Sequence, residues 1–141
     1  MENNRCVLIV DDEIPNVVAL THILKPDYAV SAVKNGKEVV KAAEKYMPDV
    51  ILLDIIMPEM DGFEVIKALK KSEITKNIPV IFITGLCDVE HEIKGLNLGA
   101  ADYITKPFSP SVVKLRVQNQ IQIIDLKREL EALRAQLAEL Q

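Results

Sequence analysis

Apolar residues fall into short, nearly unbroken runs: Cys6-Val7-Leu8-Ile9-Val10, Val50-Ile51-Leu52-Leu53 and Ile78-Pro79-Val80-Ile81-Phe82-Ile83. Runs of this length, rich in β-branched residues and without polar alternation, predict strands covered on both faces in the middle of a parallel sheet. Tyr28 to Val33 and Asp102 to Thr105 are partly polar and predict edge strands. Between the strands the spacing becomes helical: Ile14 to Leu24 before Lys25-Pro26, Lys37 to Met47 before Pro48, Phe63 to Lys71 after Asp61-Gly62, and Val89 to Leu98 between Asp88 and Gly99. Each boundary has a local cause, because the residue before a proline is pushed out of helical geometry and glycine accepts the left-handed turn that closes a helix.

Five alternating strand–helix units predict an α/β fold, a flavodoxin-like (βα)5 doubly wound sandwich with a parallel five-stranded sheet in the order 2-1-3-4-5. The last unit is longer. Ser109-Pro110 predicts an N-cap and first-turn proline, and no breaker follows before Gln141. One helix of about thirty residues, ~45 Å long, is expected. Within it Ile123, Leu126, Leu130, Leu133, Leu137 and Leu140 alternate spacings of three and four, a heptad seam with Ile123, Leu130 and Leu137 at a. Glu129 at g and Arg134 at the following e form an attractive pair across a parallel dimer. The expected division is a globular domain over residues 1–124 and a coiled-coil extension over residues 125–141 that leads toward an output domain.

At 141 residues one domain is expected, and the 49% hydrophobic content argues against global disorder. The net charge of -4, with both signs interspersed, supplies no basic field for direct nucleic-acid binding. No apolar stretch is long enough for a membrane span or a signal-peptide core. Cys6 and Cys87 lack CxxC spacing and read as reduced thiols, which suits a cytoplasmic location.

Ligands of open parallel sheets bind beyond the carboxyl ends of the strands, where the strand order reverses. There the sequence places Asp11 and Asp12 after the first strand, Asp54 after the third, Thr84 after the fourth and Lys106 after the fifth. Three convergent carboxylates repel one another unless a cation neutralises them, and oxygen-only ligands favour Mg²⁺, for which Mn²⁺ can substitute. A hard cation, an ammonium and a hydroxyl can together offset the charge on three phosphoryl oxygens, which points to phosphoryl transfer. His22 and His91 have no imidazole or thiol partner in sequence, and Met57 and Met60 are expected to fill gaps rather than bind metal.

From about residue 5 to 120 these motifs resemble the receiver domain of two-component response regulators. Val10-Asp11-Asp12-Glu13 is similar to the family's acidic pair. The run from Leu52 to Gly62, with Asp54, Met57-Pro58, Met60 and Asp61, resembles the phosphoacceptor loop. Ile83-Thr84-Gly85 resembles the switch-hydroxyl motif, and Gly99 to Phe108 resembles the closing G-A-x-D-Y-x-x-K-P-F segment.

The resemblance implies that Asp54 accepts a phosphoryl group from a sensor histidine kinase, a phosphotransfer protein or a small phosphodonor. It implies direct metal ligation by Asp12, Asp54 and the Ile56 carbonyl, with Asp11 acting through water, and pairing of Lys106 with the phosphoryl group. A cis bond between Lys106 and Pro107 is expected, as is a switch in which Thr84 moves inward and Tyr103 follows, altering the face of the fourth helix, fifth strand and fifth helix. That change would control dimerisation or an attached output domain. The long last helix resembles those of receivers that precede diguanylate cyclase, HD-type cyclic-dinucleotide phosphodiesterase or histidine kinase domains. Ile56 and Leu86 stand where some receivers carry polar groups that orient water, so slow autodephosphorylation is expected.

Three other functions fit less well. An aspartate-nucleophile phosphatase acting on external substrates needs an acid two residues after the nucleophile, where this chain has Ile56. A flavodoxin-like FMN binder needs a phosphate loop after the first strand, where Asp11 and Asp12 stand. A scaffold without phosphorylation has no use for the intact acidic set, Thr84 and Lys106.

Overall fold

Each central strand sends alternate side chains to opposite faces, and both faces are apolar. Leu8 and Val10, Ile51 and Leu53, and Val80 and Phe82 enter one core, while Val7 and Ile9, Val50 and Leu52, and Ile81 and Ile83 enter a second. Such strands need cover on both sides, and the computed structural model, which describes residues 5–86 and 88–140, supplies it. Strands β1 (Cys6–Val10), β2 (Ala29–Val33), β3 (Val50–Leu53), β4 (Val80–Thr84) and β5 (Asp102–Thr105) form one sheet in the order β2-β1-β3-β4-β5, with every pairing parallel. The predicted fold class and strand order are therefore observed.

Helices α1 (Ile14–Leu24) and α5 (Pro110–Glu139) cover one face through Leu20, Leu24, Val113 and Val117. The other face is covered mainly by α2 (Val39–Tyr46) and α3 (Gly62–Lys71), through Val39, Ala43, Phe63, Val65, Ile66 and Leu69. Helix α4 (Val89–Asn97) buries only Gly95 among its residues and leaves Val89, Ile93 and Leu96 exposed.

Several boundaries shift from the sequence expectation for identifiable reasons. Tyr28 N–H is taken by Leu24 O in the turn that ends α1, so β2 begins at Ala29. Ile78 N–H closes a turn onto Thr75 O and Pro79 has no N–H to give, so β4 begins at Val80. A 3₁₀ turn, Gly36–Glu38, precedes α2, which stops at Tyr46 because Met47 takes the left-handed conformation (φ 49°) ahead of Pro48. Helix α3 starts one residue early, at Gly62, because Asp61 and Glu64 close a reciprocal capping box. Ser109 stands at the N-cap of α5 with Pro110 in its first turn, but its hydroxyl makes no capping hydrogen bond.

Cys6 is a free thiol, and Cys87 lies outside the described residues. Among the described residues no helix is long and apolar enough to cross a membrane.

Candidate functional site

The sheet ladder itself delivers the polar residues to one place. Beyond the last paired residues, Asp11 N–H donates to Val33 O (3.2 Å), Asp54 N–H to Val10 O (3.0 Å) and Lys106 N–H to Thr84 O (2.8 Å). The backbones of Asp11, Asp54 and Lys106 are thus fixed as continuations of β1, β3 and β5. Strand β1 lies between β2 and β3, so Asp11 and Asp54 flank the point where the strand order reverses.

Asp11 is fully buried and Asp54 is 3% exposed. The Lys106 ammonium lies between them, 2.9 Å from Asp11 Oδ2 and 3.1 Å from Asp54 Oδ2. The other oxygen of each carboxylate accepts a backbone N–H, Asp11 Oδ1 from Glu13 at 2.9 Å and Asp54 Oδ1 from Ile56 at 3.2 Å. Asp12 is half-buried, and one carboxylate oxygen each from Asp11, Asp12 and Asp54 lie within 4.8 Å of one another. Among the described residues three carboxylates face a single ammonium, so the nest is under-neutralised by these protein groups. Burial holds the Asp54 carboxyl above the ordinary aspartate range, with Lys106 pulling it down and Asp11 pushing it up. At Lys106 burial disfavours the charge, but its two carboxylate partners together outweigh this and raise its pKa.

The loop after Asp54 is shaped by a close approach. A Cβ on Gly62 would stand 2.5 Å from Asp54 O and 2.7 Å from Ile55 Cα, so only glycine lets α3 begin this near the strand end. Gly62 N–H donates to Ile55 O at 2.8 Å, and Glu59 takes a left-handed φ of 69° in the same loop. Ile56 is 57% exposed beside the carboxylate, which leaves an apolar group at the mouth of the nest. Met57 and Met60 pack into or against the core under α3.

Thr84 is fully buried at the end of β4, and its hydroxyl oxygen accepts Leu86 N–H at 3.3 Å. Tyr103 points inward, its ring edge-on to Phe82 with centroids 6.0 Å apart and its hydroxyl donating to Leu86 O. The peptide between Lys106 and Pro107 is cis. His91, in the first turn of α4, pairs with Asp88 and stacks on Phe63.

Two participants escaped the sequence reading. The Leu86 carbonyl is a backbone group, and no residue type marks it. Gly95 did carry a signal, since glycine inside a helix is costly unless packing demands it. A Cβ there would lie 2.9 Å from Phe82 Cε2 and 3.5 Å from Tyr103 Cε2.

Residues 7–118 match the family described as the response regulator receiver domain. The chain is 42% identical over 116 residues to a Vibrio cholerae protein whose name reads "Probable cyclic di-GMP phosphodiesterase", covering 82% of this chain and 26% of that one. It is 39% identical over 130 residues to the response regulator PleD of Caulobacter vibrioides, covering 89% of this chain and 29% of the relative. Among solved structures, the signal receiver domain of a signal transduction histidine kinase from Syntrophus aciditrophicus superimposes with a TM-score of 0.76 at 36% identity, over 84% of this chain and 90% of that one. The chain spans between 9% and 48% of the lengths of the curated relatives first matched. The ordered motifs, the five-stranded sheet and the acidic nest at its switch point agree with these matches, and the chain belongs to the response regulator receiver family.

Proposed function

We propose that this chain is a phosphoacceptor signalling module in which Asp54 becomes an acyl phosphate. The observation that carries the reading is the under-neutralised nest, with one ammonium between two buried carboxylates and a third carboxylate within 4.8 Å. A carboxylate oxygen of Asp54 attacks the phosphorus of a donor phosphohistidine, the phosphorus–nitrogen bond breaks, and the donor ring, protonated beforehand on its other nitrogen, leaves as neutral imidazole. Lys106 keeps its contact with the growing negative charge, and Thr84 supplies a hydroxyl from the end of β4.

The donor set is all oxygen and suits Mg²⁺, or Mn²⁺ in its place. Asp12, Asp54 and the Ile56 carbonyl would hold the ion directly and Asp11 through water. When bound, the ion supplies the missing positive charge for the phosphoryl oxygens. The module acts on its own aspartate rather than turning over external substrates. The apolar exposed Ile56 gives an attacking water no orienting partner, which supports slow autodephosphorylation.

The readout we propose is the face of α4, β5 and α5, reached from Asp54 through Thr84 and Tyr103. Residues 125–140 then act as a signalling extension. Leu126, Leu130, Leu133, Leu137 and Leu140 are between 47% and 83% exposed, and Ile123 is 42% exposed. This stripe lies about 140° around the helix from the face that buries Val113, Val117 and Gln120, at 3.6 residues per turn. From Leu126 onward a second helix can therefore pack on it, while Ile123 lies beside the loops entering β3 and β4. Lys127 and Arg134 both occupy e positions, so antiparallel pairing would oppose like charges, whereas parallel pairing sets Glu129 against Arg134. A parallel homodimer, a histidine kinase or phosphotransfer partner, a cytoplasmic location and an output domain beyond residue 141 complete the proposal.

Beryllofluoride, a phosphoryl mimic, tests it. With Mg²⁺ it should shift amide resonances of Asp54, Thr84, Leu86, Tyr103 and Lys106 and spread to α4. An unchanged spectrum would leave only the scaffold reading.

A further inference from the structure

At the foot of the sheet, opposite the end that carries Asp54, α5 leaves the domain. Val113, Val117 and Gln120 are buried and Ile121 packs on the second core, but beyond Asp125 every described residue of the helix is exposed. Residues 126–140 project as an arm of about 22 Å at the standard rise per residue. A bend of about 10° at the root would carry the tip of such an arm about 4 Å, so the root decides where the leucine stripe points.

Four charges alternate at that root. Asp125 pairs with Arg5, Arg5 lies 3.5 Å from Asp49, and Asp49 lies 4.0 Å from Arg128. Arg5 and Asp49 belong to the sheet, each standing directly before a strand. Their backbones and side chains are tied there: Ala29 N–H donates to Arg5 O at 2.9 Å, and Asp49 Oδ2 accepts Cys6 N–H at 2.8 Å. Asp125 and Arg128 belong to α5, three residues apart and so on one side of the helix. The series thus begins and ends on α5 and crosses the sheet between. A single contact would let the helix roll about it, whereas two contacts one turn apart set both its tilt and its rotation. Isolated surface ion pairs contribute little, but the Arg5 and Asp49 side chains are only 24% and 14% exposed, and a planar guanidinium bridging two carboxylates holds a defined geometry.

We propose that Arg5, Asp49, Asp125 and Arg128 form a latch that fixes the direction and the rotation with which α5 leaves the domain. The latch rests on the reading of residues 125–140 as a signalling extension, and it supplies what aims that extension. Closed, it presents Leu126, Leu130 and Leu133 at one angle to the sheet. Open, it lets the arm bend about Ile121–Ile124 and sample many angles. The buried turns upstream hold the start of α5, but a helix of about fifteen residues without tertiary cover is marginal in water, so a fixed aim needs a hold at its root.

Backbone N–H residual dipolar couplings, recorded by NMR in a stretched polyacrylamide gel, read the aim of the arm. The full chain carries Leu130→Lys and Leu133→Lys, so that pairing of two stripes cannot hold the arm and a chain that never dimerises leaves the measurement intact. Residues 126–138 should fit the same alignment as the five strands. Asp125→Asn with Arg128→Gln then removes both α5 members of the latch without changing the net charge. The couplings of residues 126–138 should fall by about twofold or more, as for a segment passing from rigid to mobile, while the strands keep theirs and the Cα shifts of the arm stay helical. Glu131→Gln with Arg134→Gln, the same change of charge farther out along α5, should leave the arm aligned. Both pairs of substitutions alter only exposed or half-exposed side chains, so the fold survives them. An arm already averaged before the latch is cut, or unchanged after it, would overturn the latch and leave helical continuity as what aims α5. An equal fall in the control pair, or a fall that comes with loss of the helix, would overturn it as well.

Discussion

The Tyr103 hydroxyl donates a hydrogen bond to the Leu86 carbonyl oxygen, joining β5 to the loop that follows β4. Leu86 N–H in turn donates to the Thr84 hydroxyl oxygen, so one residue carries bonds to both proposed switch side chains. Tyr103→Phe keeps the ring against Phe82 and removes the hydroxyl. It is expected to cost about 1 kcal/mol in urea denaturation, the usual net value of one such bond, with amide shifts concentrated between residues 84 and 90. A variant as stable as the parent, with no shift in that loop, would show that the bond holds nothing.

Gly95 seats α4 on Phe82. Alanine favours helix, and on propensity alone Gly95→Ala should stabilise the chain by about 1 kcal/mol. The added methyl would stand 2.9 Å from a buried phenyl ring, so overpacking is expected to win and destabilise by roughly 1–2 kcal/mol. Because α4 buries nothing else, it should move rather than the sheet. Hydrogen exchange should then rise in α4 while β4 stays protected, and a stabilised variant with a protected α4 would contradict the steric reading.

The sheet was legible because its strands carry apolar residues on both faces, a pattern few other elements share. Asp11, Asp54, Thr84 and Lys106 were legible because each follows such a strand, and strand ends on one side of a parallel sheet must meet. Boundaries set by backbone bonds were not, as with Ile78, whose N–H is spent in the four-residue turn from Thr75. Arg5 and Asp125 lie 120 positions apart and join as an ion pair at the foot of the sheet, a contact only the folded chain brings together. Gln120 looked like an ordinary polar position of a long helix, because its burial depends on where α5 rests.

Asp54 carries a sign-testable pH dependence. Burial raises its pKa, so the native state holds the proton more tightly than the unfolded chain. Such a group contributes stability that is fully present below its unfolded pKa and lost as pH rises through the folded one. In metal-free buffer Asp54→Asn, which escapes this loss, should gain stability over the parent as pH climbs above the ordinary aspartate range, and hold the gain at neutral pH. Denaturation at a series of pH values measures the difference. A gain that shrinks with rising pH would mean that Lys106 lowers the Asp54 pKa more than burial raises it.

The leucine stripe of α5 predicts an association that truncation abolishes. Light scattering should find residues 1–141 at twice the monomer mass and a chain ending at Ile124 at the monomer mass. Leu130→Lys with Leu133→Lys should also yield monomer, since both leucines are about half exposed and a lysine pair placed across the seam would face its own copy. Equal masses for full and truncated chains would leave the stripe to another partner.

The account stands on one carboxylate. Incubated with acetyl phosphate and Mg²⁺, the chain should gain about 80 Da, one phosphoryl group, keep most of it for a time after the donor is removed, and lose it on treatment with hydroxylamine. Asp54→Asn should show no such gain under the same conditions. An unmodified parent chain, or an adduct that persists in the variant, would contradict the assignment of Asp54 as the phosphoacceptor.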